Sequence, residues 1–238
     1  MRQAFLEGSP QITNALRGRI PAYVKTKAEV DYLPQLFELY QAVEGVAVNA
    51  EIAGFVRIER VANALQSLLR ELFEESENIT ASSLRTAAHA AELLANLFER
   101  AKDSGDAMLS ALVLVVDDEA ISRRAVCSAL EMAQLKFIAV DEPEMALKLC
   151  RENRFELIFS DVEMPGKTGF EMCAELRALP LHRATPFVFV TGLSGFESRA
   201  RSALSGGNDL IAKPFLLSEL AVKALTYLIK NEFKEKGF

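Results

Sequence analysis

Five short apolar runs constrain this chain more than any other feature. Leu112 to Val116, Phe137 to Val140, Leu157 to Ser160, Phe187 to Val190 and Leu210 to Ala212 are too short for helices and rich in the branched and aromatic residues of buried strands. Each is followed by a helical pattern: Ile121, Ala125, Cys127, Ala129 and Met132 as an inward stripe, then Glu144 to Cys150, Phe170 to Leu179, Glu197 to Leu204 and Leu217 to Asn231. Strand-helix alternation of this kind predicts a doubly wound parallel sheet with five strands.

The first half reads differently, because its apolar spacing is helical throughout and no segment alternates as a strand would. Ser9-Pro10 reads as a cap and first turn for a helix carrying Ile12, Leu16 and Ile20, with Pro21 ending or bending it. Leu36, Leu39, Tyr40, Val43, Val46, Ala47 and Ala50 define a second helix. Ile58, Val61, Leu65, Leu68, Leu69, Leu72 and Phe73 define a third. A fourth, capped by Thr80 or Ser82, turns Leu84, Ala87, Ala91, Leu94, Leu97 and Phe98 inward. Short connections between four amphipathic helices predict an antiparallel four-helix bundle. The organisation expected is multidomain: a bundle over 1–105, a short polar linker over 106–110, and the α/β domain over 111–238.

In an open parallel sheet, ligands bind beyond the carboxyl ends of the strands. The first strand ends in Asp117 and Asp118, the third in Asp161, the fourth in Thr191 and the fifth in Lys213. Three carboxylates at one edge repel one another unless a cation shares them, and a hard oxygen site of this kind suits Mg²⁺. Asp161 is then placed to attack a phosphoryl group. Lys213 would neutralise charge, and Thr191 would hydrogen-bond a phosphoryl oxygen.

VVDDE at 115–119, SDVEMPGKTGFEM at 160–172, FVTG at 189–192 and KPF at 213–215 resemble the receiver domain of bacterial response regulators, the CheY-like family with a flavodoxin-like fold. That resemblance implies Asp161 as phosphoacceptor, Asp118 as a direct metal ligand and Asp117 as a ligand through water. It also implies the backbone carbonyl of Glu163 as the remaining protein ligand, and a histidine kinase or phosphotransfer protein as partner. Leu210 departs from the family, which carries an aromatic switch residue there, so signal transmission would fall to Thr191 or to loop movement.

AVEGVAVNAEIAGFVRIERVANALQSLLREL, with Phe5-Leu6 upstream and Gly54-Phe55 within, resembles the histidine phosphotransfer domain. Glu44 stands where that family carries its reactive histidine, Ala47 where it has lysine and Val48 where it has glycine. The resemblance therefore implies a degenerate phosphotransfer bundle, with Glu44 solvated on the flank of its helix. His89 lies on the fourth helix without the flanking lysine and glycine of a phosphorylated histidine. His182 reads as a surface residue in the loop before Pro186.

A net charge of -6 disfavours nucleic acid as a partner. Cys127, Cys150 and Cys173 lack a paired spacing and read as buried thiols of a cytoplasmic protein. The amino terminus lacks a basic-then-apolar leader, and the longest apolar run falls far short of the ~20 residues that span a membrane. The function expected is two-component signalling. The protein would not be an enzyme beyond assisting its own phosphotransfer and dephosphorylation. Because the sequence ends at Phe238 with no DNA-binding or catalytic output segment, signalling would proceed by contact with a kinase or another receiver domain, or by pairing with a second copy as a homodimer. The alternative is an active phosphorelay intermediate, or a receiver phosphatase, using His89 or the Glu44 and Asn49 pair.

Overall fold

The computed structural model describes residue 5 and residues 33–101, 110–192 and 202–235, which fall into two compact units. The expected first helix over Ser9 to Ile20 and the linker residues 106–109 lie outside the described residues.

The first unit is helical. Helix α1 (Leu33–Ala53) buries Leu36, Leu39, Val43, Val46, Ala47 and Ala50, the expected stripe apart from the half-buried Tyr40. It ends at Gly54, whose φ of +72° is a left-handed conformation that only glycine adopts without cost. The chain then reverses, with Phe55 N–H donating to the Ala50 carbonyl at 2.9 Å. Helix α2 (Val56–Glu74) buries Ile58, Val61, Leu65, Leu68, Leu69 and Leu72, but Phe73 is 46% exposed, its ring centroid 5.4 Å from that of Phe37. Helix α3 (Ala81–Arg100) is capped by Thr80. The Ser83 amide donates to Thr80 Oγ1 at 3.1 Å, and the Thr80 amide returns a bond to Ser83 Oγ at 2.9 Å. The Phe5 ring lies 5.4 Å from that of Phe55 and 5.1 Å from that of Phe98, which extends the core formed by these helices.

The second unit is an α/β layered fold. Strands β1 (Leu112–Val116), β2 (Lys136–Val140), β3 (Leu157–Ser160), β4 (Phe187–Thr191) and β5 (Asp209–Ala212) form one parallel sheet in the order β2-β1-β3-β4-β5. Helices α4 (Ala120–Met132), α5 (Pro143–Glu152), α6 (Gly169–Ala178) and α7 (Leu217–Glu235) complete the alternation. Between β4 and β5 the described part of the expected helix, 202–204, is helical, and Glu197 to Arg201 lie outside the described residues. Strands β1, β3 and β4 are buried almost throughout, as parallel strands covered on both faces must be. Phe155, Phe170, Phe187 and Phe189 anchor a core in which the Phe187 and Phe189 centroids are 4.9 Å apart, and the half-buried Leu210 packs against it.

Two details correct the sequence reading of this unit. Helix α4 buries Ser122, Val126, Cys127, Ala129 and Leu130, whereas Ile121 is 81% and Met132 44% exposed, so the inward stripe is rotated from the one expected. His182 is fully buried in a 3₁₀ turn (Pro180–His182) and is no surface residue. Its Nε2 lies 3.0 Å from the Cys150 carbonyl and 3.1 Å from that of Asn153, and its Nδ1 lies 3.2 Å from Thr185 Oγ1. Those partners compensate the burial of the ring.

Candidate functional site

Parallel pairing brings the strand ends together. Val116 of β1 is in register with Val140 and Ser160, and Thr191 of β4 with Ala212 of β5, so the residues immediately beyond them leave the sheet at one edge. Backbone bonds carry the alignment one residue further. Asp161 N–H donates to the Val116 carbonyl at 2.8 Å, Asp117 N–H to Val140 at 3.2 Å and Lys213 N–H to Thr191 at 2.8 Å.

Lys213 holds the acids together. Its Nζ donates to Asp161 Oδ2 at 2.6 Å and to Asp117 Oδ2 at 3.0 Å. Asp117 Oδ2 also accepts from Ser122 Oγ at 2.6 Å, and Asp117 Oδ1 from the Glu119 amide at 2.9 Å. Asp161 Oδ1 accepts from the Val162 amide at 2.5 Å and, at a longer 3.4 Å, from that of Glu163. Asp117, Asp161 and Thr191 are buried and Asp118 is exposed, so the cluster opens to solvent on one side.

Burial alone would lower the Lys213 pKa, yet the hydrogen bonds and charges of Asp161 and Asp117 outweigh it and raise the value above that of an ordinary lysine. A raised folded-state pKa contributes stability that is complete below the unfolded value, about 10.4, and is lost as pH climbs through the folded one. The difference in unfolding free energy between wild type and Lys213→Met is therefore expected to stay level from about pH 7 to pH 10 and shrink above it. Urea unfolding across that range measures the difference, and a decline beginning near neutrality would count against the ion pairs.

The turn behind Asp161 depends on Gly169. Thr168 caps α6, with the Glu171 carboxylate accepting from the Thr168 amide at 2.8 Å, and Gly169 N–H donates to the Val162 carbonyl at 2.9 Å. A Cβ at Gly169 would collide with the main-chain carbonyl oxygen of Asp161.

One ligand oxygen from each of Asp117, Asp118 and Asp161 can be chosen so that all lie within 4.8 Å of one another. Among the described residues, three acids with one ammonium between them, one side open to solvent, match the hard-oxygen donor set of Mg²⁺. Glu163 is exposed on the turn after Asp161, two residues further along the chain.

Residues 113–225 match the response regulator receiver domain. This part of the chain is a receiver domain. It is similar to the sensor histidine kinase AruS of Pseudomonas aeruginosa, 35% identical over 117 residues that make up 48% of this chain and 12% of that protein. It is also similar to the transcriptional regulatory protein ResD of Bacillus subtilis, 35% identical over 48% of this chain and 47% of that protein. Among solved structures, the chemotaxis response regulator CheY4 of Vibrio cholerae is 30% identical, with 50% of this chain and 99% of that chain covered and a TM-score of 0.47. The chain spans about half or less of the length of the curated relatives it matches. The likeness of residues 113–225 to response regulators supports a part in two-component signal transduction. Among the described residues, no helix is long and apolar enough to cross a membrane.

The candidate residues of the helical unit lie on α1 and α3. Glu44 is exposed, as expected, and accepts from Gln66 Nε2 at 3.3 Å. Asn49 donates instead to the Gly45 carbonyl at 2.7 Å. His89 is exposed on α3 between the buried Ala88 and Ala90. The cysteines are free and buried, and burial pushes the Cys150 thiol up to about 12. Sequence reasoning missed Ser122, Arg123 and Gly169. The first two lie about one helical turn beyond Asp118, a spacing that lets side chains reach back to the strand end.

Proposed function

We propose that the protein is a response regulator in which Asp161 accepts a phosphoryl group from a partner histidine kinase or phosphotransfer protein, in a Mg²⁺-dependent reaction. The observation that carries this reading is the single ammonium of Lys213 joining Asp161 and Asp117 beside the solvent-exposed Asp118. A carboxylate oxygen of Asp161 forms the new bond to phosphorus as the bond from phosphorus to the donor's leaving atom breaks, and the leaving group departs with that electron pair. Lys213 stays beside the acceptor and balances charge on the phosphoryl oxygens, while the Thr191 hydroxyl donates to one of them. Asp118 and Asp161 would hold the Mg²⁺ directly, Asp117 through water and Glu163 through its carbonyl. When bound, the ion supplies positive charge against the transferred group.

The helical unit, bounded near residue 105, is read as a phosphotransfer-like bundle that has lost its histidine. The bundle then acts by contact with a kinase, another receiver domain or a second copy, in a cytoplasmic protein that performs no reaction beyond its own phosphorylation and dephosphorylation. With the half-buried Leu210 in the switch position, the phosphorylation signal is carried outward by Thr191 or by movement of the loops at the carboxyl edge.

Incubation of the full chain with a phosphorylated kinase tests the reading, which expects acid-labile label on Asp161 alone. Label on His89, or loss of label from a separate receiver in trans, would instead favour the relay or phosphatase reading through His89 or Glu44 and Asn49. Glu44→Ala is expected to leave the rate of labelling by acetyl phosphate unchanged, and a fall of about tenfold, or about 1.4 kcal/mol in barrier, would give the bundle a chemical role.

A further inference from the structure

We infer that Ser122 and Arg123, in the first turn of α4, are positioning residues that brace the Asp117–Asp118 pair for a divalent cation before any cation binds. The inference rests on the metal-assisted reading of the site. Asp117 is gripped at three atoms. Its Oδ2 accepts from Ser122 Oγ at 2.6 Å as well as from Lys213, its Oδ1 accepts from the Glu119 amide at 2.9 Å, and its main-chain carbonyl accepts from Arg123 Nη1 at 2.6 Å. The same guanidinium nitrogen lies 3.3 Å from the Asp118 carbonyl, so one side chain ties both peptides of the acidic pair to the helix.

Neither residue is a metal ligand, and their burial suits a supporting role. Ser122 is buried although it is polar, and its hydroxyl spends its hydrogen on an acid that sequence reasoning places around the metal. Because both Asp117 oxygens accept bonds from the chain, that carboxylate is turned toward Lys213 and Ser122. Asp118, exposed beside it, is left to face the ion. Groups that orient ligands in this way ordinarily change metal affinity by about 10–100-fold when removed. Their physical contribution is order established in advance, so that the ion does not have to immobilise two acids as it binds.

Mg²⁺ titration calorimetry on the full chain tests the brace, with melting temperatures recorded in chelator to separate binding from folding. Ser122→Ala is expected to weaken Mg²⁺ binding about tenfold, and Ser122→Thr, which keeps the hydroxyl, to stay within about threefold of wild type. Arg123→Met tests the second arm at a half-buried position and carries the test should Ser122→Ala fail to fold; it is expected to weaken binding by a similar factor. Wild-type affinity in Ser122→Ala or, where that variant is unfolded, in Arg123→Met overturns the brace while leaving the site's assignment intact. So does Ser122→Thr binding as weakly as Ser122→Ala. A wild-type protein that binds no Mg²⁺ overturns the metal-assisted reading and the inference together.

Discussion

Asp161→Asn is expected to abolish labelling by acetyl phosphate in the presence of Mg²⁺, a loss of at least ~100-fold, because the amide offers no anionic oxygen to attack phosphorus. The substitution is nearly isosteric and leaves Lys213 its bond to Asp117 at 3.0 Å, so the fold persists and the loss can be read as chemical. The amide also places either a carbonyl oxygen or an NH₂ group where the carboxylate oxygen stood 2.6 Å from an ammonium. The carbonyl orientation preserves a weaker bond, and circular dichroism should report an unchanged helix content. Undiminished labelling of Asp161→Asn would remove the acceptor assignment.

Gly169→Ala is the second large effect. The methyl group would enter the space of the Asp161 carbonyl oxygen, a main-chain atom that cannot rotate away as a flexible side chain could. The strand end or the α6 cap must shift, and both are held: Asp161 N–H bonds Val116, and Thr168 is locked to Glu171. Overpacking of this kind costs about 1–3 kcal/mol, and the rigidity of the obstacle puts Gly169→Ala toward the upper end. A fall in melting temperature of roughly 10 °C is expected for a domain of this size. Because displacement falls on Asp161 itself, labelling should slow as well, below the melting transition. A variant as stable and as fast as wild type would show that the turn relaxes without disturbing the acceptor.

Much of the receiver domain was legible in the sequence because its strands are short, buried on both faces and composed to match. Leu112–Val116 and Leu157–Ser160 are strands over the very residues expected, and Asp117, Asp161 and Lys213 meet because parallel pairing aligns the residue just beyond the end of each strand. Helix α4 was less legible. Apolar periodicity pointed to Ile121 and Met132, but the helix is oriented partly by polar bonds, Ser122 to the Asp117 carboxylate and Arg123 to its carbonyl, which hydrophobic patterning does not count. His182 was hidden for a related reason. Its ring is buried because Thr185 and the carbonyls of Cys150 and Asn153 satisfy it, and two of those partners lie 29 and 32 residues away in the chain. Phe73, expected in the helical core, finds Phe37 at the surface instead.

The full chain phosphorylated with acetyl phosphate and Mg²⁺, reduced with borohydride to trap an acyl phosphate and mapped by mass spectrometry, is expected to carry the reduced side chain at Asp161. Modification at His89 or Glu44, or phosphate taken up with Asp161 intact, would contradict its role as acceptor.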